Sequence, residues 1–338
     1  MNSPRCIVFA HSGTAIELIM ALPLAGLIKE RYPDIKVVWL GAESGREIIS
    51  LSKNVDGFIT QMEVIAQPKT LMAYKPEAII NLDSDPVVAA MGQDLGISLR
   101  IGAKSKAFNR FRCNYLIDLG TTLVRFHDTT IHLKYLQPFQ VRGNRTLAEL
   151  ADYTRIAKRR NDSLRDIIII CPYGDDTREW DVSSIMELAK NLQSNAVSSG
   201  QAVTVLDCHG LYQNQFATLP KGANYVANLS FLEALDLVGK HGLVIGADSG
   251  LLQIASLQAK DVLVLFPPLS KYNITNKMPL GAHTKAISKD LRCSDCRQTA
   301  YCGCMATISP EEVQDAVCRQ FSKYCGPQLK TSKLVPQT

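Results

Sequence analysis

Short apolar runs alternate with helix-patterned stretches along this chain, and the series starts twice. The first series has strand-like runs at Cys6–Ala10, Lys36–Leu40, Gly57–Ile59, Ala78–Leu82 and Leu99–Ile101, with helical stretches over Glu17–Tyr32 and Ala42–Ser52. Arg142–Arg165 is polar, basic and helical in pattern, and reads as a connection. The second series has strand-like runs at Asp166–Cys171, Ala202–Asp207, Asn224–Val226, Gly242–Ile245 and Val262–Phe266. Its helical stretches are Ser183–Ser194, Phe231–Lys240 and Gly250–Leu257. Alternation of this kind predicts parallel sheets covered by helices. The expected architecture is α/β, with two Rossmann-like, doubly wound domains facing across a cleft. The expected boundaries are 1–150 and 166–308, followed by a C-terminal helix and tail over 309–338. Ser309, Pro310 and Glu312 predict that last helix, as N-cap, first residue and capping-box partner.

The bulk properties narrow the function classes. With 338 residues, 46% hydrophobic and 20% charged, the chain is long enough for two cores and is not a disordered segment. The apolar run Leu18–Ile28 is too short to span a bilayer. The start lacks the apolar region of a signal peptide, so a cytoplasmic protein is expected. From Arg100 to Arg165 fourteen Lys or Arg face five Asp or Glu, a local balance of 14 − 5 = +9. That bias suits an anionic partner such as a phosphorylated glycolipid or a membrane surface, or else a solvated basic face. No nucleic-acid motif accompanies it, and nucleic acid ranks last.

Of ten cysteines, Cys293, Cys296, Cys302 and Cys304 fall within twelve positions. The spacing supplies enough thiolates for structural zinc or iron. Buried free thiols are the equal alternative, and disulfides rank last for a reducing compartment.

Gly246–Ser256, between Leu243–Ile245 and Val262–Phe266, reads as strand, turn and helix start. The turn holds Asp248, Ser249 and Gly250, and the backbone N–H groups of Ser249, Gly250 and Leu251 favour an anion such as a phosphate. Asp248 or Ser249 could equally be a helix cap. The loop after the first strand, His11-Ser-Gly-Thr14, lacks the three glycines of a dinucleotide fingerprint, which argues against hydride transfer. Glu17 follows in the first helical turn, either as a general base or as an acid favoured by the helix dipole. Arg178, near Trp180, is either a phosphate clamp or a surface charge.

Together these segments resemble glycosyltransferase family 9, the heptosyltransferase-like enzymes of lipopolysaccharide core assembly. The likeness runs through Glu17–Pro33, Thr177–Trp180, Ala247–Ser256 with Val262–Pro267, and the Cys-rich stretch ending at Met305 followed by Ile308–Val313. It implies a GT-B fold with an N-terminal acceptor domain, a C-terminal nucleotide-sugar domain and inverting, metal-independent transfer. By position, Glu17 matches the family's catalytic Asp, Arg178 its basic phosphate-contacting residue and Asp248 its donor-phosphate turn. Gly13 and Thr14 match loop residues near the donor, and Leu229 and Ser230 fall where the nucleotide base is held. Two positions depart: Ile16-Glu17 replaces the usual Gly-Asp, and Gln253 replaces a common His.

The resemblance therefore implies an ADP- or other nucleoside diphosphate sugar as donor and an anionic glycolipid or glycan as acceptor. It also implies a cytoplasmic location with peripheral contact at the inner membrane, and no cofactor for transfer. The alternatives are a nucleotide-sugar epimerase, or a non-catalytic nucleotide-sugar or metal-binding protein on the same fold.

Overall fold

The computed structural model describes residues 4–120, 126–141, 144–171, 180–196, 201–267, 274–289 and 304–325. The chain divides into two compact units. Unit 1 is Met1–Ala157 with Thr275–Leu280, and unit 2 is Lys158–Ile274 with Gly281–Thr338. The short returning segment belongs to unit 1 through side chains: His127 Nε2 bonds the Met278 carbonyl at 2.7 Å, and Lys277 pairs with Asp128.

Unit 1 is built on six parallel strands: β1 (Cys6–Ala10), β2 (Lys36–Gly41), β3 (Gly57–Thr60), β4 (Ala78–Asn81), β5 (Leu99–Ala103) and β6 (Tyr115–Ile117). Unit 2 repeats the plan with β7 (Ile167–Ile170), β8 (Val203–Asp207), β9 (Ala223–Ala227), β10 (Leu243–Ala247), β11 (Asp261–Phe266) and β12 (Thr284–Ser288). The spatial orders are β3-β2-β1-β4-β5-β6 and β12-β11-β10-β7-β8-β9. Read from its own first strand, each sheet has the same doubly wound order. Each therefore reverses direction at one point, between β1 and β4 in unit 1 and between β7 and β10 in unit 2. Ligands of open α/β sheets bind beyond the carboxyl ends of the strands at such a point.

The central strands are apolar throughout because helices cover both sheet faces. In β1, Cys6, Val8 and Ala10 pack with Val38, Leu40 and Ile79 on one side, and Ile7 and Phe9 are equally buried on the other. The registers Ala10↔Leu40 and Ala10↔Asn81 align the ends of β1, β2 and β4. In β10, Leu243 and Ile245 pair with Ile167 and Ile169 of β7. The closing helix Pro310–Gln320 starts at the expected Ser309–Glu312 capping box and buries Val313, Ala316 and Val317 in the core of unit 2.

Several expected elements differ. The helix read over Glu17–Tyr32 is two helices, Ala15–Ala21 and Pro23–Arg31, because Pro23 has no N–H to continue the first. Ala42–Ser52 forms a 3₁₀ turn at Glu43–Gly45 and a short helix at Arg46–Ser50. Within Arg142–Arg165 only Leu147–Asp152 is a helix among the described residues. The polar composition of that stretch serves tertiary hydrogen bonds, with Asn54 Nδ2 donating to the Tyr153 carbonyl at 2.7 Å and Ser52 Oγ to that of Thr154 at 2.6 Å. The chain crosses from unit 1 to unit 2 inside this basic segment, and acids take up part of its charge, as Glu30 does for Arg145 and Asp261 for Arg160. The edge strands β6 and β12, which the sequence did not suggest, are each only partly buried; β6 is three residues long and β12 mixes Thr, Lys and Ser with Ala and Ile.

Candidate functional site

The turn after β10 lies at the switch point of unit 2. Gly246 in that strand comes close to its neighbour: a Cβ there would stand 3.3 Å from both Ile170 Cβ and the Ile170 carbonyl oxygen. Ser249 is the N-cap of the helix Gly250–Leu257, its hydroxyl accepting from the Leu252 N–H at 3.4 Å. Asp248 does not cap. Its carboxylate Oδ1 accepts from Gln253 Nε2 at 2.8 Å, and both residues are buried, Gln253 completely. Of the two readings of the turn, capping thus falls to Ser249, while Asp248 is a buried carboxylate held one turn along the helix. Leu251 is buried.

Leu229 and Ser230 follow β9 in the same unit. Ser230 caps the helix Phe231–Gly239, and the Glu233 carboxylate accepts from its N–H at 2.9 Å and from its hydroxyl at 2.6 Å. Those bonds hold the Glu233 carboxyl below its ordinary value. Arg178 lies outside the described residues. Trp180 is a core residue, 2% exposed, with its indole N–H donated to the Ile308 carbonyl at 2.8 Å. Its place in the Thr177–Trp180 motif is therefore explained by packing.

Cys293, Cys296 and Cys302 also lie outside the described residues, and Cys304 is buried. Cys318 and Cys325, outside that cluster, form a disulfide seven positions apart. Among the described residues no group of three His, Cys, Asp or Glu could hold a metal ion.

In unit 1 the loop after β1 carries Gly13, Thr14 and Glu17. Thr14 caps the helix Ala15–Ala21, and Glu17 Oε2 accepts from the Thr14 N–H at 2.8 Å and its hydroxyl at 2.9 Å. A Cβ at Gly13 would stand 2.7 Å from Glu17 Oε2 and 2.9 Å from His11 Cε1, so a larger residue there would displace one of these side chains.

The structure adds a group that the motifs did not flag. His11 continues β1, its N–H bonded to the Leu40 carbonyl at 2.9 Å and its own carbonyl accepting from Trp39 Nε1 at 3.0 Å. Its Nδ1 bonds Asp83, whose other carboxylate oxygen accepts from the Ser12 N–H. Asp83 sits just past β4, in a loop shaped by Asn81. The Asn81 side chain accepts from the Asp85 N–H at 2.9 Å and donates to the Asp85 carbonyl at 2.7 Å, and Ser84 takes φ +54°. Burial works to raise the Asp83 carboxyl, but the His11 bond, its charge and the Ser12 N–H hold it below the usual carboxylate value. His132 stands edge-on to His11, ring centroids 5.6 Å apart, and burial with the neighbouring His11 and Lys277 lowers its pKa to about 3. Gln61 Nε2 reaches Asp85 at 3.0 Å and the Ser12 hydroxyl at 3.3 Å. The available signal was topological: His11 and Asp83 each follow a strand end on either side of the switch point.

Two parallel six-stranded sheets of identical winding, each flanked by helices, define an α/β protein of the GT-B class. The model of glycosyltransferase family 9 (heptosyltransferase) matches residues 68–303, and the chain belongs to that family. Among solved structures it is similar to the family 9 glycosyltransferase of Veillonella parvula DSM 2008, at 14% identity and TM-score 0.72, covering 94% of this chain and 97% of that one. E. coli ADP-heptose lps heptosyltransferase II is 16% identical with TM-score 0.70, over 94% and 99% of the two chains. E. coli heptosyltransferase WaaC with ADP is 10% identical with TM-score 0.69, over 93% and 99%. No curated protein matches the sequence. No helix among the described residues is long and apolar enough to cross a membrane.

Proposed function

We propose that this chain is an inverting glycosyltransferase moving heptose or a related sugar from a nucleotide-sugar donor to a cell-envelope glycan such as a lipopolysaccharide core. Unit 2 takes the donor and unit 1 the acceptor. The observation that carries the reading is the buried Asp248 beside the Ser249-capped helix at the switch point of unit 2. A diphosphate placed against Ser249–Leu251 meets backbone N–H groups and the positive end of the helix. Solved relatives with ADP, or with ADP-2-deoxy-2-fluoro heptose, support an ADP-sugar as donor.

The chemistry then needs no metal at the reacting centre. The acceptor oxygen attacks the anomeric carbon while the bond to the diphosphate breaks, and the helix N-terminus with Arg178 stabilises the departing charge. Gly13 and Thr14 border the reacting groups, Leu229 and Ser230 the nucleotide base. The proton of the acceptor is taken at the loop after β1, where the resemblance selects Glu17. The exposed bases of unit 1, such as Lys104 and Arg110, suit an anionic glycolipid at the inner face of a membrane.

Titration calorimetry with ADP-D-β-D-heptose, UDP-glucose and GDP-mannose tests the donor site. Binding of one donor, weakened at least tenfold in Asp248→Ala and Arg178→Ala, is expected. Absence of binding by all three, or variants binding like wild type, overturns the assignment. Sugar interconversion without any acceptor selects the epimerase.

A further inference from the structure

We propose that His11, oriented by the Asp83 carboxylate, is the group that takes the proton from the acceptor hydroxyl, in place of Glu17. The inference rests on the glycosyl-transfer reading and assigns a catalytic residue to it. Four observations carry it. His11 is 5% exposed at the carboxyl end of β1, beside the switch point. Its Nδ1 is bonded to Asp83, an arrangement that holds the imidazole in one tautomer and stabilises the imidazolium once formed. Its Nε2 is buried without a partner among the described residues, a costly state for a polar atom that serves packing alone. Cε1, the ring atom between Nδ1 and Nε2, is turned toward Gly13, where the absence of a Cβ leaves it room.

Glu17 is less suited. One of its oxygens already accepts two bonds from Thr14, so the carboxylate is occupied in closing the helix. The charged and titratable groups around His11 are Asp83 after β4, Glu17 across Gly13, and His132 on the helix Asp128–Leu133 with Lys277 behind it. Among the described residues, only Asp83 bonds the ring.

In the step, the acceptor O–H bond breaks and its proton passes to His11 Nε2. The oxygen lone pair forms the bond to the anomeric carbon, and the electron pair of the anomeric C–O bond leaves with the nucleoside diphosphate. The imidazolium is neutralised by Asp83, which stays ionised, and later returns its proton to solvent. Nε2 is buried in the free chain, so the acceptor reaches it only after the groups around it move aside.

The test combines kinetics with nitrogen-15 NMR of the imidazole. ADP release from ADP-D-β-D-heptose with deacylated lipopolysaccharide core oligosaccharides is measured for wild type, His11→Ala, Asp83→Asn and Glu17→Gln. Expected are losses in kcat of about a hundredfold or more in the first two, with donor Kd unchanged, partial rescue of His11→Ala by added imidazole, and a smaller loss in Glu17→Gln. NMR is expected to place the proton of His11 on Nδ1, and to lose that preference in Asp83→Asn. A proton on Nε2 overturns the proposal without any turnover data. So does a His11→Ala enzyme that turns over like wild type while Glu17→Gln is dead. If wild type binds no donor, the glycosyl-transfer reading fails instead, and the NMR result still judges the pair. Unaltered donor affinity shows that the variants are folded.

Discussion

Gln253 Nε2 donates to Asp248 Oδ1 at 2.8 Å inside unit 2, tying the turn after β10 to the helix that follows it. The amide fixes the position of the carboxyl beside the helix start. Asp248→Ala is expected to cost about 1–3 kcal/mol of stability, because the buried amide loses its acceptor. Gln253→Ala should cost a similar amount, and the double variant less than the sum, by roughly 0.5–3 kcal/mol. Urea unfolding of the four proteins measures the coupling. Strict additivity would show that the bond contributes nothing.

Thr14 and Glu17 close the first helix reciprocally, since the Glu17 N–H also donates to the Thr14 hydroxyl at 3.5 Å. Thr14→Ala should therefore lower stability by about 0.5–2 kcal/mol. Thr14→Ser, which keeps the hydroxyl, should restore most of it. Thermal melts that rank both variants with wild type would remove the cap from the account of this loop.

The strands of both cores were legible because their residues are buried on both faces: Ile167–Ile170 and Asp261–Phe266 can scarcely be anything but interior strands. Two edge strands were not, since Tyr115–Ile117 is only three residues long and Thr284–Ser288 mixes polar with apolar residues. Asp248 was legible as part of a turn motif contiguous in sequence. The His11–Asp83 pair was not, because its members are 72 positions apart and only the parallel pairing of β1 with β4 brings them together. The partner of Trp180 was not legible either, because the backbone of Ile308 that it bonds lies 128 positions away.

Trp180 accordingly sets a stability prediction. It packs among Met305, Ile308 and Val313 in the core of unit 2. Trp180→Ala should cost about 3–5 kcal/mol. Trp180→Phe retains most of the apolar area but strands the Ile308 carbonyl, for roughly 1–3 kcal/mol. Guanidinium midpoints for the two variants that coincide with wild type would place the indole outside the core.

Asp261 opens β11 as a buried carboxylate, accepting from Lys323 Nζ at 2.7 Å, the Tyr324 hydroxyl at 2.9 Å and Arg160 Nη1 at 3.2 Å. Burial raises its carboxyl, and the three donors outweigh burial and hold it below the ordinary value. A carboxyl depressed on folding adds stability above its unfolded value, about 3.9, and that stability is lost as pH falls through the lower folded value. Asp261→Asn should therefore be less stable than wild type at pH 7, by roughly 3–5 kcal/mol for a broken buried pair. The gap should narrow below about pH 4. A gap independent of pH would mean that the charge at 261 plays no part.

Three histidines, two of them buried, act over a different range. Burial lowers His127 and His241, and lowers His132 to about 3 with help from His11 and Lys277. Each is neutral in the folded chain where an unfolded imidazole, with a pKa of about 6.5, takes up a proton. The unfolded state then binds more protons, so stability falls as pH drops below that value, by up to about 1.4 kcal/mol per pH unit for each group. His241 is the cleanest test, since its ring bonds the Leu237 carbonyl at 2.8 Å and the Thr204 hydroxyl at 3.0 Å, both within unit 2. His241→Gln should lose stability at pH 8 yet show a shallower decline between pH 6.5 and 5 than wild type. Parallel urea midpoints for the two proteins across that range would exclude a neutral His241 as a source of acid sensitivity.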